Sequence, residues 1–137
     1  IIDKDGIPCN CGKNGCFERY SSMKALKNNL RKSLGLDEKT RGQELLDLIR
    51  KNGEQPEIKN IVEEFIDNLS TGISNLVNIF EPEAVGIGGS FVFFEDVLLE
   101  PLKQKLLSGK LLFNARDEIN IYSAILENDA GIIGAVI

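Results

Sequence analysis

Cys9-Asn10-Cys11-Gly12-Lys13-Asn14-Gly15-Cys16-Phe17-Glu18 gathers every cysteine of the chain into one short stretch. Thiolates are soft, strong ligands, and Gly12 and Gly15 let the backbone turn sharply enough to aim three sulfurs at one point, as a tetrahedral zinc site requires. Structural zinc takes four protein ligands, yet the sequence holds no histidine and no fourth cysteine. Either water or a nearby carboxylate completes the shell, or the fourth ligand lies outside this sequence. Disulfide bonding accounts for the cluster poorly. Cys9 and Cys11 are too close for a relaxed bridge, and three thiols cannot pair off evenly. Free cysteines that serve as small apolar residues seldom cluster among Asn, Lys and Gly. The stretch therefore reads as a metal loop over residues 8–18, and it favours a reducing, cytoplasmic setting.

Composition narrows the classes. The 137 residues, 42% of them hydrophobic, suffice for one domain with a real core and not for two. Sixteen basic against twenty-one acidic residues leave a net charge of −5, which argues against direct contact with nucleic acid, where a basic stripe is the rule. The nearest cluster of cations, Lys24 to Lys32, reads as the solvated face of a helix. No apolar run approaches the roughly 18 residues that span a bilayer, and no signal-peptide pattern is present. The opening Ile1-Ile2-Asp3 lacks a methionine, as a cut piece of a longer protein would. Asp3-Lys4-Asp5-Gly6 superficially matches a calcium loop. Its glycine comes too early, and Asn14 stands where the closing glutamate belongs, so calcium is rejected.

Outward from the loop, the chain alternates helices with short strands. Phe17, Tyr20, Met23, Leu26, Leu30 and Leu34 recur at helical steps, with Ser21-Ser22 placed to split the stripe by capping a second helix. Leu34-Gly35 ends it in a left-handed turn. A helix over about Gly42 to Lys51 buries Leu45, Leu46, Leu48 and Ile49. Pro56 suits the first turn of a long helix to about Phe80, whose buried face runs from Ile58 through Phe65, Leu69, Ile73, Leu76 and Val77 to Phe80. Gly72 sits in its middle, where glycine costs about 1 kcal/mol relative to alanine; a close packing contact is a reason to tolerate it.

Glu81-Pro82-Glu83 stops that helix. Ala84-Val85-Gly86-Ile87 reads as a buried strand leading straight through Gly88-Gly89-Ser90 into a helix with Phe91, Phe94, Leu98, Leu102 and Leu106 on its apolar side, which Pro101 is placed to kink. Ile119 to Tyr122 alternates as a second strand, and Asn128-Asp129-Ala130-Gly131 caps a terminal helix, Ile132 to Ile137. Strands alternating with helices predict an α/β fold with a parallel or mixed sheet. Two strands are too few to stand alone as a sheet, so further strands are expected from elsewhere. The turn at Gly88, Gly89 and Ser90 lets a ligand approach the backbone and offers helix N–H groups to an anion, though it lacks the Gly-Lys-Ser/Thr of a phosphate loop and the third glycine of a dinucleotide fingerprint. A tight turn without ligand explains it equally well.

Cys9-x-Cys11-Gly12-x-x-Gly15-Cys16-x-Glu18 resembles the CxCGxxGCxE zinc motif of the ROK family, the bacterial sugar kinases and sugar-responsive repressors. The resemblance continues through Ser74 to Glu83, through Gly88-Gly89-Ser90 and through Asp129 to Ala135, and so covers nearly the whole chain. Glu127 departs from it, standing where many relatives have glycine. The family fold is actin-like (ribonuclease H-like), with two α/β domains around a cleft. The resemblance implies that residues 1–137 are a single-domain, helix-rich C-terminal portion of the second domain, with an incomplete sheet. A histidine of an upstream ExGH motif would be the fourth zinc ligand. The phosphate loop and the aspartate base would also lie upstream, so this piece alone should phosphorylate nothing.

By the same resemblance Cys9, Cys11 and Cys16 bind a structural zinc, Glu18 accepts hydrogen bonds from sugar hydroxyls, and Gly88, Gly89 and Ser90 lie against the nucleotide. Phe91 belongs to the core. Read without the motif, Glu18 is an ordinary first-turn glutamate favoured by the helix dipole. The implied activity is glucokinase-like transfer from Mg-ATP to a hexose, by a protein that is a homo-oligomer. Two other functions stay open: the sugar-sensing half of a transcriptional repressor, and a zinc-stabilised interaction module that binds no sugar.

Overall fold

The computed structural model describes residues 1–108 and 119–124. Its elements run α1 (Phe17–Ser21), α2 (Met23–Ser33), α3 (Gly42–Asn52), α4 (Pro56–Phe80), β1 (Ala84–Ile87), a 3-10 helix (Gly89–Phe94), α5 (Glu95–Ser108) and β2 (Asn120–Ser123). The sequence places most of these boundaries by local chemistry. Ser22 has extended backbone, and its Oγ accepts from the Ala25 N–H at 3.2 Å, which separates α1 from α2 as the serine pair predicts. Gly35, at φ 62°, closes α2, and Pro56 opens α4 in its first turn.

The long helix α4 organises the core. Its Ile58, Phe65, Ile66, Leu69, Ile73 and Val77 are buried, with α1 and α2 packed against it and α5 packed against it in turn. Leu98, Leu102 and Leu106 of α5 are essentially inaccessible. Ion pairs of Lys105 with Asp67 (2.6 Å) and of Arg50 with Asp96 (2.7 Å) tie α5 to α4 and to α3. Both are solvent-exposed, so they add little. Apolar burial holds the layers.

Strands β1 and β2 pair in parallel, Ala84 opposite Asn120 through Ile87 opposite Ser123, with the 3-10 helix and α5 as the crossover that parallel strands require. The predicted parallel sheet is thus present with two strands among the described residues. Ile121 is buried, whereas Tyr122 faces outward, as alternation demands. The predicted terminal helix, its cap at Asn128 to Gly131, and most of the Ser108 to Arg116 loop lie outside the described residues.

Three expectations change. The strand Ala84–Ile87, expected to be buried, has Val85 and Ile87 half-buried and Ala84 and Gly86 exposed, because among the described residues the sheet has only two strands and leaves one face open. The α-helix predicted after Ser90 begins only at Glu95, because Gly89–Phe94 winds as a 3-10 helix. The buried stripe of α4 also ends early: Leu76 is 50% and Phe80 72% exposed. Ile66, Ile73 and Phe80 are seven residues apart and so lie on one line of the helix. Periodicity finds that line correctly but does not reveal how far the covering layer reaches.

Gly72 is buried against α1. A Cβ built there would overlap the ring of Phe17, so the glycine forms a notch that receives the first side chain of α1. Gly72→Ala sets two effects against each other. Alanine is the better helix former by about 1 kcal/mol, but overpacking costs about 1–3 kcal/mol, beyond whatever burial Phe17 loses if it is expelled. Chemical denaturation should show net destabilisation in the wild-type background, and a neutral or stabilising effect once Phe17 is alanine. Equal effects in the two backgrounds would mean that the notch carries no coupling.

Candidate metal centre

Residues before α1 form a small hairpin that presents the cysteines. The Cys9 N–H donates to the Lys13 carbonyl at 2.8 Å, the Gly12 N–H to the Cys9 carbonyl at 3.0 Å, and the Gly15 N–H to the Ile7 carbonyl at 2.9 Å. Pro8 and Asn14 make an antiparallel bridge across it. A second layer clamps the stem: the Ile2 N–H donates to the Gly15 carbonyl at 2.9 Å, and the Ile7 N–H to the Tyr20 hydroxyl at 2.8 Å. Gly15 is required twice over. It is buried at φ 65°, a region that side chains resist, and a Cβ there would overlap the Asp3 carbonyl oxygen.

This geometry gathers the three predicted ligands. The sulfurs of Cys9, Cys11 and Cys16 lie within 4.8 Å of one another, and those of Cys11 and Cys16 are 3.3 Å apart. Zn–S bonds of about 2.3 Å in a tetrahedron put sulfurs about 3.8 Å apart, so the donor set fits zinc in kind and in spacing. Electrostatics agrees. The Cys11 thiol is shifted down, first by the Lys13 backbone N–H and then by the neighbouring thiols. The Cys16 thiol is pushed up to about 11, chiefly by its hydrogen bond with Cys11 and then with Cys9. Adjacent thiols cannot all ionise without a cation to compensate them, so metal binding would displace a proton and strengthen as pH rises.

Glu18 follows in the first turn of α1 and is exposed. It lines, with Cys9, Asn10, Ser22, Asn28 and Asn29, a depression of about 200 Å³ beside the hairpin. Cys16, Phe17 and Glu18 thus do three consecutive things: a thiol at the cluster, a ring in the Gly72 notch, a carboxylate facing open space. Gly88, Gly89 and Ser90 are exposed and do not line that depression. Their turn enters the 3-10 helix rather than α5, so the dipole of the α-helix is not aimed directly at them. Phe91 is buried, as expected of a core residue. The Tyr20 clamp is not legible in the residues, because its place on the helical stripe assigns Tyr20 to packing alone.

The ROK family model matches residues 1–137. The chain belongs to the ROK family. Among curated relatives, this ROK chain is 29% identical to a glucokinase of Thermotoga maritima, over 98% of the chain and 45% of the relative. It is 30% identical to a xylose repressor of Bacillus spizizenii, over 78% of the chain and 27% of the repressor. Among solved structures, it superposes on a ROK family glucokinase of Streptomyces griseus, in complex with glucose and AMPPNP, with a TM-score of 0.74 at 24% identity, over 96% of this chain and 46% of that one. The fold is that of the actin-like ROK sugar kinases. The chain spans less than half the length of the curated relatives it matches.

Gly15→Ala should disrupt the hairpin stem and lower the zinc retained by the complete protein, as read by metal analysis after purification without chelator. Gly12→Ala is the control: its Cβ would meet no atom within 4 Å, leaving only the strain of a positive φ. Equal zinc retention by the two variants would contradict the clamp.

Proposed function

We propose that this chain supplies the zinc loop and a sugar-contacting carboxylate to an ATP-dependent hexose kinase of the glucokinase type. The observation that carries the reading is the joining of Cys9, Cys11, Cys16 and Glu18 in one built corner, on a chain whose relatives include glucokinases matched over 98% of its length. In the proposal Cys9, Cys11 and Cys16 hold zinc, which supplies structure and not chemistry at the reacting atoms. Phe17 anchors α1, and between these two constraints Glu18 keeps a fixed position from which its carboxylate accepts two sugar hydroxyls. Gly88, Gly89 and Ser90 serve the nucleotide side through exposed backbone. Phosphoryl transfer depends on positioning and charge stabilisation, and this chain's part is positioning. The working context is cytoplasmic; among the described residues no helix is long and apolar enough to cross a membrane.

A second reading has its own support. Xylose repressors match as well, at 30% identity over 78% of the chain, so the same corner suits a sugar-sensing effector region. Sugar-dependent formation of ADP from Mg-ATP by the complete protein supports the kinase. Sugar-dependent release of operator DNA without ADP formation supports the repressor.

Glu18→Gln in the complete protein tests the carboxylate under either reading. Hydrogen bonds to charged groups contribute roughly 1.5–3 kcal/mol, so sugar affinity should fall about tenfold to a hundredfold, with zinc content unchanged. Calorimetric titration alongside metal analysis decides it. Unchanged affinity makes Glu18 a solvated helix residue, and loss of zinc makes it a ligand.

A further inference from the structure

The cysteine loop carries a second chemistry that is independent of any sugar or nucleotide. We propose that Cys11 and Cys16 are a peroxide-sensitive dithiol pair, which closes to an intramolecular disulfide when the loop is metal-free and leaves Cys9 as a thiol.

Three observations select this pair. The two sulfurs are 3.3 Å apart and in direct contact, so bond formation needs only a small approach. Cys11 is exposed, open to a small oxidant. The backbone between them contains Gly12, at φ 84°, with open space around its Cβ position, so the tip can shift there while Gly15 stays clamped in the stem. Cys9 is held differently. Its N–H and carbonyl are both engaged in the stem, and a single residue separates it from Cys11, too short for a relaxed bridge.

The chemistry balances with hydrogen peroxide as the oxidant. The sulfur of Cys11, as thiolate, attacks one peroxide oxygen; the O–O bond breaks, and the departing hydroxide takes up a proton as water. The sulfenic acid left on Cys11 is then attacked by the sulfur of Cys16. The S–S bond forms, the S–O bond breaks, and the hydroxyl leaves with the Cys16 proton as a second water. Two thiols lose two electrons and peroxide gains them. The product removes two of the three sulfur donors, so the oxidised loop keeps a single thiol in place of a three-sulfur metal cradle. The pair is therefore a modification site that competes with metal for the same atoms.

The test uses the complete protein, stripped of metal with a chelator and exposed to stoichiometric hydrogen peroxide. Thiols of this stretch, titrated with a chromogenic reagent, should fall from three to one. Peptide mapping after alkylation should find Cys11 joined to Cys16 and Cys9 alkylated. Cys9→Ser should form the bridge as wild type does, and Cys11→Ser should not. Because mapping is done on the wild type, the outcome does not depend on how well either variant folds. A Cys9–Cys16 bridge, oxidation to sulfinic acid without a bridge, or three surviving thiols would each overturn the proposal. None of these outcomes bears on whether the protein phosphorylates sugar.

Discussion

The contact of the Phe17 ring with the bare backbone of Gly72 is the constraint on which the functional corner depends. A hairpin of about ten residues without a core of its own cannot hold three thiols and a carboxylate in register, because ordering each residue costs roughly 1–2 kcal/mol. Phe17 transfers that task to α4, which buries more residues than any other described element. Glycine at the middle of a 25-residue helix is a local cost that makes sense only through the ring it admits. Core packing, loop position and the aim of Glu18 are linked through one notch.

Around that anchor, the hairpin's own hydrogen bonds and a bound metal would do complementary work. The bonds among Ile2, Ile7, Cys9, Lys13 and Gly15 set the backbone path, and the Tyr20 hydroxyl locks the stem to α1. They bring the sulfurs together, so that ionising Cys11 becomes easier and ionising Cys16 beside it becomes costlier. A divalent cation relieves that cost; so does oxidation, by removing the charge-bearing thiols altogether. The loop is therefore poised between two chemistries by the same crowding.

Much of this was legible in the residues. Caps and breakers such as Ser22, Gly35 and Pro56 act locally, so the helix boundaries they set were readable from sequence. The cysteine cluster was readable because its three thiols lie within eight consecutive residues. What sequence could not supply was nonlocal. The Tyr20 clamp and the Asp3 carbonyl against Gly15 involve partners that no periodicity connects. The 3-10 start at Gly89 differs from an α-helical one only in hydrogen-bond register. The exposure of Leu76 and Phe80 depends on where a covering layer ends, and amphipathicity along one helix carries no information about that. Family membership fixes the scaffold but not the choice between kinase and repressor, since glucokinases and xylose repressors both match this chain.

The central claim is that Cys9, Cys11 and Cys16 together hold a zinc ion, and X-ray absorption at the zinc edge on the complete protein measures it most directly. The account predicts a four-coordinate shell with three sulfurs at about 2.3 Å and one lighter donor at about 2.0–2.2 Å. A shell made only of oxygen and nitrogen, or purified protein that takes up no zinc, would contradict it.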